Sequence, residues 1–123
     1  MRILADTHVL LWWLADADAL PARHRELLAD PANDVYFSAV SLAEIAIKAS
    51  LGKLTAPPGA AATLSTGGFL PLPFSAEHAA DLRTLPWHHR DPFDRMLVSQ
   101  ARSETLGFAT VDRQIQPYPV TLV

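Results

Sequence analysis

The feature that most constrains the fold is the alternation of short apolar runs with longer helix-like stretches along the chain. Strands are predicted over 1–5 (MRILA), 35–37 (VYF), 107–110 (GFAT) and 120–123, and helices over 7–15, 23–29, 41–51, 60–66, 75–85 and 92–105. The run FLPL at 69–72 contains a proline, so it is predicted to be an edge strand or no strand. Such alternation favours a parallel sheet with helices on both faces. We therefore predict an α/β fold, a three-layer α/β/α sandwich with a central, mainly parallel sheet.

Length and composition limit the kind of protein. The 123 residues suit a single domain spanning 1–123, and the hydrophobic half of the chain can form a full core. The absence of cysteine removes disulfides and thiolate zinc sites and fits a reducing compartment, so we expect a cytoplasmic protein. No stretch resembles a signal peptide, and the apolar run 9–15 is shorter than the roughly 20 residues of a membrane span. Since the net charge is −3, nucleic acid would need a local basic patch.

Four acids, far apart in sequence, occupy positions that such a sheet would bring together. Asp6 follows the first strand, Asp112 follows the GFAT strand, and Glu44 and Asp94 lie early in two predicted helices. The carboxyl ends of parallel strands meet at one edge of the sheet, where open α/β folds bind ligands. We therefore expect these four carboxylates to converge on one site.

Most of these acids also have a purely structural explanation. Ser41 and Glu44 have the spacing of a capping box, and Glu44 lies four residues before Lys48, a favourable helix pair. Asp91 followed by proline is typical of an N-cap before the first helical residue, and Asp112 could cap a short helix. For any one acid taken alone, capping is as good an explanation as function.

Asp94 is the acid that capping explains least. At helical spacing it shares a face with Leu97, Val98 and Ala101, so it stands at the head of an apolar stripe. A carboxylate at the edge of a core needs a partner or takes up a proton. Several carboxylates that face one pocket repel each other unless a cation lies between them, and hard oxygen ligands suit Mg²⁺ or Mn²⁺. The pattern thus predicts a divalent metal site.

The sequence resembles PIN domains of the VapC toxin type, the ribonuclease half of bacterial toxin–antitoxin pairs. The matching segments occur in the family's order and cover most of the chain. They are ILADTHVLLWWL (3–14), FSAVSLAEIAIKASLGKL (37–54), LPWHHRDPFDRMLVSQA (85–101), FATVD (108–112) and YPVTLV (118–123). Ala43 departs from the pattern, because many relatives carry a bulky aromatic residue before the glutamate. That difference concerns packing more than chemistry.

This resemblance implies roles for individual residues. Asp6, Glu44 and Asp94 match the family's acidic metal-binding trio, and Asp112 matches its more variable fourth acid. Residues that match polar positions around the site are Thr7, Ser38, Asp91 and Thr110. For Asp91 a helix cap is the preferred interpretation, and an outer-shell metal ligand is the alternative. The resemblance also implies Mg²⁺- or Mn²⁺-dependent hydrolysis of RNA, homodimers, and inhibition by a small VapB-type antitoxin.

Several other residues have a plain and a functional interpretation. We expect one of Trp12 and Trp13 to pack in the core and the other to cover a helix surface. The alternative is a contact with a second copy or with an antitoxin, because tryptophan is enriched at interfaces. The pair His88-His89 is expected to be a solvated loop. Cations expected around the pocket, where RNA phosphates would need them, are Lys48, Arg90, Arg95, Arg102 and Arg113, although for each alone an ordinary surface charge is the simpler explanation.

Two other functions compete with a metal-dependent nuclease. Asp6 after the first strand could be a phosphatase nucleophile, but the second acid expected two residues later is His8. A catalytically silent module that acts only by binding a partner protein is the alternative from another class. The intact set of four acids disfavours it, since a decayed site should have lost at least one.

Overall fold

A parallel sheet of four strands forms the centre of the molecule, in a computed structural model that describes residues 1–123. The strands are β1 (Arg2–Ala5), β2 (Asp34–Ser38), β3 (Leu70–Leu72) and β4 (Gly107–Ala109), and they pair in the order β3-β2-β1-β4. All three pairings are parallel, with Ala5 beside Ala109 and Leu4 beside Tyr36. The predicted parallel sheet is confirmed, and β3 lies at its edge, where its proline removes no hydrogen bond from a central strand.

Helices cover both faces of this sheet. They are α1 (Thr7–Leu14), α2 (Ala22–Ala29), α3 (Ala39–Ser50), α4 (Ala60–Thr66), α5 (Ala76–Asp81) and α6 (Pro92–Ser103), followed by a 3₁₀ turn at Arg113–Ile115. Side chains alternate along β1, so Ile3 and Ala5 belong to one buried cluster and Leu4 to another. The first cluster includes apolar residues of α1, α2 and α4, and the second those of α6. This is the three-layer arrangement predicted from the alternation of elements.

Two predicted helices have different limits in the structure. The helix predicted over 41–51 begins at Ala39, because the Ser38 side chain accepts a hydrogen bond from the Val40 amide and caps it. The helix predicted over 75–85 is α-helical only to Asp81, and residues 82–85 continue with tighter bonds to the third preceding carbonyl. Pro86 then prevents any further helical turn.

The side of α5 that faces the core also differs from the prediction. The amphipathic pattern of the helix over 75–85 predicts that Ala76, Ala79, Ala80 and Leu82 face inward; Leu82 is partly buried against the core, but the three alanines are exposed. The buried residue is His78, which completes a capping box with Ser75 and also contacts Glu104 through Nε2, at 2.9 Å. A polar anchor, and not a small apolar stripe, therefore fixes this helix.

The C-terminal segment closes the far edge of the sheet without forming the predicted strand over 120–123. Only an isolated bridge joins Leu122 to Phe108, with two backbone bonds, Phe108 N to Thr121 O (2.7 Å) and Val123 N to Phe108 O (3.1 Å). A Cβ at Gly107 would lie 2.8 Å from Val123 Cγ1, so a glycine is needed for this close approach.

Candidate active site at the carboxyl edge of the sheet

Asp6 lies at the carboxyl end of the central strand, beside the point where the strand order reverses. Its Oδ1 accepts from the Thr7 amide at 2.7 Å, which caps α1, and its Oδ2 accepts from Thr110 Oγ1 at 2.6 Å. Burial raises the pKa of Asp6 above its usual value; the hydrogen bonds from Thr110 and Thr7 oppose the rise, and the Asp112 charge adds to it. The parallel pairing of β1 and β4 is what places Thr110 beside Asp6.

Asp94 approaches the same edge from the first turn of α6. Its side chain is largely buried, and His89 Nε2 lies 3.0 Å from its Oδ2. Burial raises the pKa of Asp94 to about 6; the hydrogen bond with His89 opposes this, and the charges of Asp6, Asp91 and Asp112 reinforce it. The apolar stripe predicted behind Asp94 is confirmed, since Leu97, Val98 and Ala101 are buried.

Asp91 is a helix cap, as expected. Its Oδ1 accepts from the Asp94 amide at 3.1 Å, and Pro92 follows at the first helical position. The cap holds the first turn of α6 and with it the backbone of Asp94. Asp112 likewise caps the 3₁₀ turn, through Oδ1 to the Gln114 amide at 2.9 Å, while its own amide donates to Thr110 Oγ1 at 3.1 Å.

Glu44 is buried in α3, and its contacts correct one prediction. Because the helix begins at Ala39, Glu44 is not at the third helical position and forms no capping box with Ser41. Ser41 instead accepts a hydrogen bond from Thr7 Oγ1 at 2.8 Å. The predicted pair with Lys48 is confirmed, with Nζ 2.6 Å from Oε2, whereas the other oxygen, Oε1, is buried without any hydrogen-bond partner.

Lys48 brings the only ammonium group of the chain that contacts this cluster of acids. Its hydrogen bond to Glu44 raises the pKa of the Lys48 ammonium; burial opposes the rise, and the charges of Glu44, Asp91 and Asp94 add to it. No group of three or more His, Cys, Asp or Glu side chains is arranged as a ready-made metal centre. What the structure provides is an Asp94 whose pKa is raised by burial and by the charges of Asp6, Asp91 and Asp112, a Glu44 with a buried free oxygen, and Lys48 close to both.

His89 and Tyr118 are functional candidates that the sequence did not reveal. His89 was expected in a solvated loop, but its side chain is nearly buried and joins Asp94 to Tyr118. The Tyr118 oxygen accepts from Arg95 Nη1 (3.1 Å) and from the His89 amide (3.2 Å), and its hydrogen has two acceptors, His89 Nδ1 at 2.8 Å and the His89 carbonyl at 3.3 Å. When the hydroxyl donates to the nearer acceptor, Nδ1, the neutral imidazole has its hydrogen on Nε2, which faces Asp94 Oδ2. Tyr118 lies 24 residues beyond Asp94 and no spacing rule would connect them.

Arg95 was expected among the exposed cations around the pocket, and this is wrong. The residue is only 3% exposed, and its guanidinium donates to the Pro86 carbonyl at 2.7 Å and the Leu85 carbonyl at 3.1 Å. Burying an arginine requires that its N–H groups be satisfied, which these carbonyls and the Tyr118 hydroxyl do. The guanidinium carbon lies 3.7 Å from the ring centroid of Trp87, whose side chain is exposed.

Ser38 is fully buried and has a structural part in the site. Besides capping α3, its hydroxyl donates to Gln100 Oε1 of α6. The bond ties the end of β2 to α6 and thereby holds α3 and α6 at a fixed separation. Ser38 thus supports Glu44 and Asp94 without being exposed to a substrate.

The family model described as "PIN domain" matches residues 3–119, nearly the whole chain. The chain belongs to the PIN domain family. PIN domains are in general nucleases, so membership supports hydrolysis of nucleic acid by this chain.

Solved structures share the same fold as this PIN domain. The chain is similar to one in the structure of VapBC2 from Rickettsia felis bound to a promoter DNA fragment. The TM-score is 0.71 at 18% sequence identity, and the match covers 100% of this chain and 98% of that chain. DNA-bound VapBC from Salmonella typhimurium gives a TM-score of 0.70 at 18% identity, covering 100% and 97%. FitAcB from Neisseria gonorrhoeae gives 0.60 at 22%, covering 98% and 95%. At these identities the likeness establishes the fold alone.

No curated protein sequence matches this PIN domain significantly. None of its helices has both the length and the apolar character that crossing a membrane requires.

Proposed function

We propose that this PIN domain is a metal-dependent endoribonuclease and the toxin of a toxin–antitoxin pair. The observation that carries the proposal is the meeting of acids from separate elements at the carboxyl edge of the sheet, where burial and mutual repulsion raise the pKa of Asp94 to about 6. Perturbed carboxylates in one place are typical of sites that bind a cation or transfer protons. Membership in a family of nucleases supports the assignment to phosphodiester hydrolysis.

The residues present fit a divalent cation. Glu44 Oε1 is a buried acceptor without a partner, and a single lysine opposes the charge of the acids around it. Asp6, Glu44, Asp94 and Asp112 would hold Mg²⁺ or Mn²⁺, which prefer such oxygen ligands. When bound, this ion supplies an activated water and neutralises charge that develops on the phosphate.

The chain's own residues orient the acids for this chemistry. Thr110 and the Thr7 amide fix the two oxygens of Asp6, and His89 fixes Oδ2 of Asp94. Such partners hold ligands in place before the ion arrives. Lys48 Nζ lies 2.6 Å from Glu44 Oε2, and its ammonium would add positive charge near an incoming phosphate.

The expected partners of this toxin follow from its relatives. The solved neighbours are VapBC and FitAB complexes, which supports a small VapB-type antitoxin as the cognate partner. We further propose that residues 1–123 act as one nuclease domain, as a homodimer, in the cytoplasm. We also propose that the substrate is RNA and not DNA.

The test is cleavage of total RNA by the purified wild type, by Asp94→Asn and by Asp18→Asn, with Mg²⁺ or Mn²⁺ and with EDTA. Asp18 is an exposed acid outside the site and serves as the matched control. We expect cleavage by the wild type and by Asp18→Asn that stops in EDTA and in Asp94→Asn, with 5′-phosphate and 3′-hydroxyl ends. Cleavage that survives EDTA, or products with 2′,3′-cyclic phosphates, would contradict the proposed mechanism.

A further inference from the structure

An exposed tryptophan in the loop that leads into α6 has no role in the proposed chemistry or in the core. The Trp87 side chain is 73% exposed, the highest value among the large hydrophobic residues. Tryptophan contributes most when its broad ring is covered, so an open ring held in one place is unusual. It lies in the loop between the turns after α5 and the start of α6.

One face of the Trp87 ring is held by a fixed cation. The Arg95 guanidinium lies 3.7 Å from the ring centroid, well within cation–π distance. Arg95 cannot move away, because two backbone carbonyls and the Tyr118 hydroxyl hold it. The ring is therefore preoriented, with its second face turned away from Arg95.

A small cleft beside this ring has the lining that single-stranded nucleic acid requires. The cleft has a volume of about 180 Å³, and we call it the Trp87 cleft; its lining residues are Leu82, Trp87, Arg90, Pro92, Arg95 and Met96. Arg90 is exposed and makes no hydrogen bond or ion pair within the chain, so all its donors are free for a phosphate. An aromatic platform combined with free positive charge is the arrangement that stacks unpaired bases and follows their backbone.

The Trp87 cleft is joined to the acid cluster by a continuous series of contacts. Arg95, under the ring, donates to Tyr118 at 3.1 Å; Tyr118 contacts His89 Nδ1 at 2.8 Å; and His89 Nε2 contacts Asp94 at 3.0 Å. Arg95 also follows Asp94 directly in α6. Trp87 and Asp94 are thus held by one connected framework of side chains.

We propose that Trp87 is a stacking platform for an unpaired nucleobase of the RNA strand, next to the cleaved phosphodiester, with Arg90 binding an adjacent phosphate. This inference rests on the proposed function for the identity of the strand. Stacking on a ring is tolerant of base identity, so the subsite supplies affinity and register for single-stranded RNA. In a chain of net charge −3, the exposed Arg90 provides the local positive charge that RNA requires.

The test is binding of fluorescently labelled RNA oligomers of about ten nucleotides, measured by anisotropy with Ca²⁺ in place of Mg²⁺. Oligo(A), oligo(U) and an abasic strand of the same length separate base stacking from phosphate binding. The variants are Trp87→Phe, which keeps a ring, Trp87→Leu, which keeps apolar cover over Arg95, and Arg90→Ala. Leu51→Ala, another exposed apolar residue, is the matched control, and melting temperatures check folding.

We expect Trp87→Leu to bind oligo(A) and oligo(U) about 5- to 100-fold more weakly than the wild type, and Trp87→Phe to retain most of the affinity. The abasic strand should bind both Trp87 variants as it binds the wild type, whereas Arg90→Ala should weaken all three strands and reduce the salt dependence by about one phosphate contact.

Equal affinity of wild type and Trp87→Leu for oligo(A), or an equal loss for the abasic strand, would overturn the inference. If the Trp87 variants bind RNA normally but no longer bind a small partner protein, the cleft is a protein interface and the inference is again wrong. Cleavage of total RNA is scored separately. A wild type that binds bases through Trp87 but cuts no RNA would contradict the nuclease assignment and support the stacking site. Normal cutting by a wild type that shows no stacking effect would support the nuclease assignment and contradict the stacking site.

Discussion

At the scale of single residues, Asp94 is expected to lower the stability of the metal-free fold at neutral pH. Its pKa is about 6 in the fold against an ordinary 3.8, so between these values the folded chain binds more protons than the unfolded one. The free energy of unfolding therefore falls as pH rises through this window, and at neutral pH the ionised Asp94 costs about 1–3 kcal/mol. Asp94→Asn removes the charge, and its amide oxygen can still accept from His89.

We expect metal-free Asp94→Asn to melt about 3–10 °C above the wild type near pH 7, and the gain to shrink towards pH 4. Calorimetry or circular dichroism in EDTA at both pH values measures this, with Asp18→Asn as the control. A melting temperature at or below that of the wild type at pH 7 would show that Asp94 is not a destabilising charge.

Tyr118 should act on the site through His89. Tyr118→Phe removes the hydroxyl that fixes the His89 tautomer, so Asp94 loses its oriented donor. We expect RNA cleavage to fall about 10- to 100-fold, with weaker Mn²⁺ binding by titration calorimetry. Imidazole nitrogen NMR should change from a single Nε2-protonated form to a mixture. Tyr36→Phe is the matched control, because the Tyr36 hydroxyl makes no hydrogen bond. An unchanged His89 spectrum in Tyr118→Phe would show that Tyr118 does not fix the tautomer of His89.

Residue identities predicted the site better than they predicted the surroundings of each side chain. Asp94 could be identified because it interrupts an apolar stripe, a pattern that lies within one helix. Arg95 and His89 could not, because a charged side chain is buried only when partners from elsewhere satisfy it. Those partners, the Pro86 carbonyl and Tyr118, depend on how a loop and the C-terminal segment meet.

At the scale of elements, one ion pair joins α5 to α6 and has the opposite pH dependence to Asp94. Asp81 accepts from Arg102 at 2.6 and 3.1 Å, and from Ser99 at 3.0 Å. The Arg102 hydrogen bond lowers the pKa of Asp81; partial burial opposes this, and Ser99 adds to it. A lowered pKa contributes stability above the ordinary value of 3.8 and loses it as pH falls.

Asp81→Asn should therefore lower the free energy of unfolding by about 1–2 kcal/mol at pH 7, and by progressively less as the pH falls below the ordinary carboxyl pKa of 3.8. Urea unfolding at pH 7 and at the lowest pH at which the chain still folds gives the comparison. Asp16→Asn is the control, since the Asp16 carboxylate pairs with Arg25 at 2.7 Å but is 88% exposed, where ion pairs contribute little. A loss of equal size at both pH values would mean that the effect is not electrostatic.

Element types followed from the sequence more reliably than element limits. The strands β1, β2 and β4 and the helix α6 have strong local patterns, so their existence was predictable. The start of α3 depends on a serine that also bonds Gln100 in α6, and the terminal segment meets β4 only at the isolated bridge between Leu122 and Phe108. Both limits are set by tertiary contacts, which a local pattern does not contain.

At the scale of the whole molecule, the sheet gathers negative charge at one edge, and a bound ion should stabilise the entire fold. The carboxylates come from two strand ends and two helices, so relief of their repulsion acts on every layer. A ligand present at about 100 times its dissociation constant adds about 2.7 kcal/mol to the free energy of unfolding. Glu44 Oε1, buried and unpartnered, gains the acceptor's missing contact at the same time.

We therefore expect Mg²⁺ or Mn²⁺ to raise the melting temperature of the wild type by several degrees relative to EDTA, and to have little effect on Glu44→Gln. Asp30→Asn, an exposed acid outside the site, should respond to the ion as the wild type does. Because stability is read out without any RNA, the result does not depend on the presence of the right substrate. An equal shift in Glu44→Gln and the wild type would place the ion elsewhere, and the absence of a shift in all three proteins would leave Lys48 as the only counter-charge to these acids.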